Sequence, residues 1–198
     1  MISLQCYTAS DILSVVDDLA RLRVAVFREF PYLYEGSLEY EQKYLHTYTQ
    51  GLDNVVVVAR DGTWVVGAST GMPLVLENEE VVRPFVELGY APEPIFYFGE
   101  SVLLPEYRGQ GLGVRFFEER ENHAFERGYK LATFCAVQRP LEHPRRPPDY
   151  VPLDSFWNKR GFVKYPELHT TFEWQDVDET APSSKPMVFW TKKLGDER

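Results

Sequence analysis

Hydrophobic positions in this chain follow two periods that alternate along it. Residues 1–7 alternate loosely enough for a first strand, and Thr8-Ala9-Ser10-Asp11 follows as a cluster of helix-capping side chains. Ile12, Val15, Val16, Leu19, Leu22, Val26 and Phe27 then form the stripe of an amphipathic helix, which the pattern ends near Phe30-Pro31. A second helical pattern opens at Ser37, a candidate cap, and runs through Leu38, Tyr44, Leu45 and Tyr48 to Gly51. The period then shortens. Val55 to Ala59 and Val65 to Ala68 are β-branched runs with the hairpin signal Asp61-Gly62 between them, so adjacent antiparallel strands are predicted over 54–60 and 64–71.

From Leu76 to Leu88, the acids Glu77, Glu79, Glu80 and Glu87 surround Val81, Val82, Phe85 and Val86. Pro84 argues against one uninterrupted helix there, so a short helix or irregular excursion is predicted, with its acids on a solvated face. Ile95 to Leu104 is β-branched and aromatic, a strand that stops before Pro105. Helical spacing resumes at Val114: Val114, Phe117 and Ala124 share a face, Phe116 and Phe125 lie beside it, His123 falls on the exposed side, and Gly128 closes the helix. Leu131 to Val137 reads as a strand. Residues 138–152 carry Arg139, Arg145 and Arg146 among five prolines, a helix-resistant linker. A short helix from Asp154 closes at Gly161, and Thr170 to Trp174 and Met187 to Lys192 are predicted as two strands separated by a polar stretch. No internal repeat interrupts the order, so residues 1–198 are read as one α/β domain.

Composition narrows the function classes. With 44% hydrophobic and 15% aromatic residues the chain can bury a full core without staples, and disorder is excluded. A formal charge of −9 disfavours nucleic acid and is compatible with a cationic partner. No apolar run is long enough to span a bilayer, and Asp11, Asp17 and Asp18 leave no secretory signal at the start, so the expectation is a soluble cytoplasmic protein with no membrane partner. Cys6 and Cys135 make neither a disulfide framework nor a metal cluster, and His46, His123, His143 and His169 lack ligand spacing, so no metal is expected. Gly99-Glu100-Ser101 lacks the nucleophile elbow of a serine hydrolase.

The distinctive chemistry lies between the central strand and its helix, in Arg108-Gly109-Gln110-Gly111-Leu112-Gly113. Alternate glycines let backbone N–H groups approach a ligand, and a helix N-terminus attracts anions, so strand, glycine turn and helix together read as a phosphate cradle with Arg108 at its mouth. The loop is neither a P-loop nor the G-x-G-x-x-G of a dinucleotide fold. It matches R/Q-x-x-G-x-G/A, the pyrophosphate loop of the GCN5-related N-acetyltransferases. With Val102-Leu103-Leu104-Pro105 before it and Ala132 to Val137 after its helix, the segment resembles that family's central motif. The late Phe156-Trp157-Asn158-Lys159-Arg160-Gly161-Phe162 resembles a second family segment.

The resemblance implies a single-domain α/β fold in which a mixed, mostly antiparallel sheet is flanked by helices and two central strands splay apart. It implies acetyl-CoA as donor co-substrate, held through the backbone of Val102, Leu103 and Leu104 and by Arg108, Gly109, Gln110, Gly111, Leu112 and Gly113. It puts an acidic residue acting as general base at Glu100, and an acceptor wall on the loop joining the first two helices, with Phe30, Tyr32 and Tyr34 as candidate contacts. By its place in the chain the segment 76–88 is read as overhanging that acceptor pocket, and residues 138–152 are read as a solvent loop, with an arginine that reaches the phosphates of coenzyme A or an acidic acceptor group as the alternative. The chain departs from the family where a tyrosine usually protonates the leaving thiolate. Trp157 stands there, and an indole N–H is not a useful proton donor, which leaves Tyr150 or water. The implied function is acetyl transfer to the primary amine of a small molecule. Transfer to a protein or peptide amine and non-catalytic sensing of acyl-CoA are the alternatives, and a homodimer through the late strands is the implied assembly.

Overall fold

The computed structural model of the protein describes residues 2–195, so Met1, at the start of the predicted first strand, lies outside the described residues. Among the described residues seven strands form one sheet: β1 (Ile2–Thr8), β2 (Val55–Asp61), β3 (Trp64–Pro73), β4 (Ile95–Leu103), β5 (Leu131–Val137), β6 (Val163–Trp174) and β7 (Ser183–Lys193). Their spatial order is β1-β2-β3-β4-β5-β7-β6. Every pairing is antiparallel except β4 with β5, which run parallel because α4 (Leu112–Glu126) crosses between them. The remaining helices are α1 (Val16–Phe27), α2 (Leu38–Leu45), α3 (Glu79–Glu87) and α5 (Asp154–Asn158). Among the described residues no helix is long and apolar enough to cross a membrane.

Helices cover both faces of the sheet, which is why β2 reads as an unbroken valine run rather than an alternation. Val55 and Val57 face Phe116, Phe117 and Ala124 of α4. Val56 and Val58 face Leu19 and Leu22 of α1 with Leu45 and Tyr48. The third cluster lies on the same side as α1, where Tyr97, Cys135 and Val137 pack with Phe85 of α3, Leu168 and Phe189.

Element boundaries differ from expectation where local chemistry was ambiguous. The first helix is split, a 3₁₀ stretch over Ala9–Val15 preceding α1. Ser37 does cap α2, its hydroxyl accepting from Tyr40 N–H at 3.3 Å. Helix α4 begins at Leu112, not Val114, because Gly111 adopts a left-handed conformation (φ 82°) and serves as its N-cap. α3 runs through Pro84 as a continuous helix. Proline there removes the N–H that would have bonded the Glu80 carbonyl, but Thr170 Oγ1 on β6 donates to that carbonyl at 2.7 Å, so the interruption leaves no orphan acceptor. His123 is buried, contrary to its predicted exposure: its Nε2 lies 2.7 Å from the Asp53 carbonyl, and its ring is 5.7 Å from that of Phe96. A helix of this kind packed on a broad sheet buries more than a narrow stripe, and polar side chains inside that band find partners.

Candidate active site

The site opens where β4 and β5 separate. Their pairing covers Ile95 with Leu131, Phe96 with Ala132 and Tyr97 with Thr133, and then stops although both strands continue. Beyond that fork β4 stays on β3 and β5 on β7, leaving a wedge bordered by two backbone edges.

A β-bulge shapes the β4 side of the wedge. The register with β3 slips so that Thr70 alone opposes both Gly99 and Glu100. Its displaced polar groups are met from both faces. Glu100 N–H donates to Thr70 Oγ1 at 3.2 Å, and that hydroxyl donates to Tyr48 Oη at 3.1 Å. From α4, Arg120 donates to the carbonyls of Thr70 (3.1 Å) and Glu100 (3.2 Å) and to Ser101 Oγ (2.8 Å). Arg120 is 1% exposed, and burial pulls its guanidinium below the ordinary arginine range against the raising effect of Glu100 and Glu121. Only glycine suits position 99, because a Cβ there would overlap the Tyr48 hydroxyl and lie 2.6 Å from Thr70 Oγ1.

The bulge delivers the Glu100 side chain to the α1 face of the sheet. There Arg23 Nη1 meets Glu100 Oε2 at 2.6 Å while Arg23 Nε donates to Glu41. The guanidinium carbon lies 4.5 Å from the ring centroid of Tyr44 and 5.0 Å from that of Phe27, within cation–π range. Burial works against the charge of Arg23, but Glu100, Tyr44 and Glu41 outweigh it and hold the group above the usual arginine range. Glu41 is 0% exposed and Glu100 9%. Among the described residues, Oε1 of each has no hydrogen-bond partner.

A cavity of about 110 Å³ lies against this pair. Phe27, Tyr32, Tyr44, Phe172 and Met187 form its apolar walls; Arg23, Glu100, Gly99, Tyr97 and Cys135 complete it on the side of the fork. Burial raises Tyr32 and Tyr97, and pushes the Cys135 thiol up to about 12, so that sulfur, 3.2 Å from Tyr97 Oη, is no nucleophile. Glu77 is a correction to the solvated-face reading of its acidic stretch. Burial raises its carboxyl from 4.5 to about 7, opposed by the Asn78 N–H and reinforced by Glu100, and its Oε1 is another buried oxygen without a partner.

On the far side of the wedge the glycine loop leads into α4. Gly109 (φ 76°) and Gly111 (φ 82°) hold left-handed conformations that other residues adopt only with strain, and a Cβ at either would meet nothing within 4 Å. Among the described residues, no acceptor is found for the N–H groups of Gly109, Gln110, Gly111, Leu112 and Gly113. An exposed row of N–H donors at a helix N-terminus suits the pyrophosphate of acyl-CoA. Arg108 is already engaged: Nε donates to Leu103 O at 3.1 Å and Nη2 to Glu29 Oε2 at 2.8 Å, so it braces the loop against α1.

Of the three expected backbone contacts on β4, only Leu103 directs its polar groups to the wedge. Leu104 N–H donates to Val66 O at 3.0 Å, so Leu104, and by strand parity Val102, direct their polar groups to β3. Leu103 and Ser101 carry the opposite edge. Of the acceptor candidates, Tyr32 is part of the cavity wall and Phe30 stacks edge-on to Tyr150 at 4.7 Å, whereas Tyr34 pairs by its backbone with Asp176 and by its hydroxyl with Glu41, behind Arg23. Tyr150 is not in that wall either; Arg146 lies 4.9 Å over its ring, and burial raises its hydroxyl. Trp157, partly buried, packs against the core between Phe134 (5.0 Å) and Trp190 (5.1 Å). The arginines of 138–152 are structural. Arg139 donates to the carbonyls of Pro31 and Tyr32, both at 2.7 Å, and pairs with Asp176, while Arg145 pairs with Asp178.

A mostly antiparallel sheet forked at its one parallel pair, with a glycine loop and helix N-terminus on one side and a buried carboxylate on the other, defines the acyltransferase architecture that the motif implied. Residues 19–146 match the model of the acetyltransferase (GNAT) family, and the chain belongs to that family. Acetyl-CoA-dependent acetyl transfer is therefore its class of reaction. No curated protein matches the chain in sequence. Solved structures share its fold across their full length. An N-acetyltransferase from Staphylococcus aureus Mu50 superposes with TM-score 0.62 at 12% identity, covering 98% of this chain and 99% of that one. The ribosomal-protein-alanine N-acetyltransferase of Brucella melitensis gives 0.61 at 15% identity, covering 96% and 99%. A Salmonella typhimurium protein assigned as an acetyltransferase, solved with its cofactor acetyl-CoA, gives 0.59 at 12% identity, covering 99% and 96%.

Proposed function

We propose that the protein transfers the acetyl group of acetyl-CoA directly to the primary amine of a small molecule. The observation that carries this reading is the buried, half-partnered Glu100 carboxylate in a cavity at the fork of β4 and β5. The thioester supplies an acyl group that is already activated, so the protein's tasks are alignment and removal of the amine proton. The N–H groups from Gly109 to Gly113 hold the donor's phosphates, the Leu103 edge of β4 aligns its amide arm, and Glu100 Oε1 accepts the proton. Arg23 fixes the orientation of Glu100 through its other oxygen. Tyr150 or water returns a proton to the thiolate.

A second reading, an acyl-CoA-binding module without turnover, is favoured by Trp157, whose indole packs against Phe134 and Trp190 where the family's tyrosine hydroxyl is expected. Paired variants separate the two. Gly111→Val forces a β-branched residue into a left-handed conformation at the helix cap and is expected to weaken acetyl-CoA binding at least about tenfold in calorimetry. Glu100→Gln is expected to leave that affinity within about twofold while lowering kcat on an accepted amine by about 10²–10⁴. Binding without thiol release on any amine would favour the module; undiminished binding by Gly111→Val would remove the donor assignment.

A further inference from the structure

Resting on the reading of this site as the place where acetyl-CoA gives up its acetyl group, we infer that Tyr32 is a further catalytic residue, its hydroxyl donating a hydrogen bond to the departing sulfur. The donor that Trp157 cannot supply from the late helix comes instead from the loop after α1.

The place of the sulfur follows from the fork. The pairing of β4 with β5 ends at Tyr97 and Thr133, and the cavity beside it is bordered by Gly99 and Glu100 from β4 and by Cys135 from β5. A donor arm that runs from the glycine loop back along the Leu103 edge enters between these strands, so a thioester within reach of an amine at Glu100 has its sulfur between the two edges. When the amine nitrogen bonds to the acetyl carbon, the C–S bond breaks, the sulfur keeps the electron pair, and the amine proton goes to Glu100 Oε1. Negative charge then develops on sulfur in a largely buried site, where a donor already in position is worth most.

Four hydroxyl or thiol groups belong to residues of the wall, and three of them face another such group. Tyr97 Oη and Cys135 Sγ lie 3.2 Å apart, and Tyr44 Oη lies 3.4 Å from Tyr48 Oη. Among the described residues, no hydrogen-bond partner is found for the Tyr32 hydroxyl; the side-chain donors that reach this residue, from Arg139 (2.7 Å) and Trp174 Nε1 (3.0 Å), meet its carbonyl. That clamp fixes the backbone, and the rings of Phe27 (4.7 Å) and Trp174 (6.0 Å) flank the phenol. Burial first, and then Cys135, Tyr150 and Glu100, hold the hydroxyl above the usual tyrosine range against the pull of Arg23. It therefore lies within electrostatic reach of both arms of the fork, Cys135 on β5 and Glu100 on β4. A phenol held above its ordinary range keeps its proton and acts as a hydrogen-bond donor, so the proton that finally neutralises the thiolate still comes from Tyr150 or water. Tyr150 itself stands outside the wall, its ring against Phe30 and Arg146.

Free CoA presents the same sulfur, so the test does not depend on the acceptor. Affinities of CoA and acetyl-CoA are measured by calorimetry at about pH 7 and about pH 9 for the parent, Tyr32→Phe and Tyr150→Phe. Phenylalanine keeps the ring between Phe27 and Trp174 and removes only the donor. The two ligands share their nucleotide and amide arm, so the change with pH in the ratio of their affinities isolates the thiolate. We expect that ratio to shift toward CoA on raising the pH by at least about fivefold more in the parent than in Tyr32→Phe, with acetyl-CoA affinity within about twofold in both. On any amine the parent accepts, Tyr32→Phe is expected to lower kcat by at least about tenfold. A second measurement leaves the protein unaltered: followed by the ultraviolet absorbance of its thiolate, bound CoA should ionise at lower pH than free CoA. An equal shift of the ratio in parent and Tyr32→Phe overturns the inference, as does undiminished kcat in that variant, a bound thiol that ionises no more readily than the free one, or a loss confined to Tyr150→Phe. Failure of the parent to bind acetyl-CoA would instead remove the reading on which the inference rests.

Discussion

Glu77 shows how little a residue's type says about its state. It sits in an acidic stretch, yet its carboxyl is raised from 4.5 to about 7, first by burial and then by Glu100. A carboxyl raised on folding binds its proton more tightly in the native state than in the unfolded chain. The stability it contributes is therefore full below about 4.5 and is lost as pH rises through about 7. Glu77→Gln, which keeps the neutral shape, is expected to match the parent's stability near pH 4 and to exceed it near pH 8 by at most about 3 kcal/mol, read from urea midpoints. A gap of the same size at both pH values would show that the group does not titrate as described. Glu100 carries a comparable lesson about position. Its sequence context marks a strand, but its usefulness depends on the bulge that turns it toward Arg23, and Arg120 and Thr70 from two other elements hold that bulge in place.

At the scale of elements, the structure resolves conflicts that local patterns leave open. Pro84 should break α3, and it does remove one internal bond; the helix survives because β6 supplies Thr170 in its place. Thr170→Val retains the side chain's shape but orphans the Glu80 carbonyl, for an expected loss of about 1–3 kcal/mol. Replacing Pro84 by alanine in that background should recover much of the loss, because the restored N–H can bond the same carbonyl. A Thr170→Val protein as stable as its parent, with or without Pro84, would mean that the carbonyl finds another donor. The loop before α4 is the opposite case, an element whose local sequence suffices. Gly109 and Gly111 specify left-handed turns, and the N–H row they expose follows directly.

At the scale of the whole molecule, the acceptor side is a stitched assembly of segments distant in the chain. Arg139 spans the Pro31 and Tyr32 carbonyls and Asp176; Lys185, itself 3% exposed, pairs with Asp176 and Glu179. Val177 N–H donates to Leu33 O and Trp174 Nε1 to Tyr32 O, so the β6–β7 connection and the loop after α1 form one wall. Arg139→Met leaves Asp176 with one cation fewer and the Pro31 carbonyl without its donor, while Tyr32 O keeps Trp174 Nε1, for an expected cost of about 3–5 kcal/mol. Because the wall belongs to the acceptor side, KM for the amine should rise more than KM for acetyl-CoA in steady-state kinetics at a temperature where the variant stays folded. Equal rises in both would place Arg139's influence on the fold as a whole.

The sequence alone determined the order of strands and helices, the glycine loop with its donor class, and the position of Glu100. Each depends on short-range rules: the period of side chains along a strand or helix, the conformations that only glycine adopts freely, and the spacing of a motif. Tertiary structure decided which groups share a cavity. Arg23 from α1 and Glu100 on β4 line one cavity, with Glu41 from α2 paired to Arg23 behind it and Glu77 after β3 near enough to act on Glu100 by charge, because the sheet order and the bulge bring these segments to one face. Tyr32 joins the cavity wall and the Tyr34 hydroxyl reaches Glu41, while Phe30, two residues before Tyr32, turns to Tyr150. Side-chain direction in an irregular loop is set by what the loop packs against, here the Arg139–Asp176 network, and no periodicity in the loop encodes it. The buried state of His123, the structural role of the arginines in 138–152 and the raised carboxyl of Glu77 share that physical origin, since burial is a property of the surroundings.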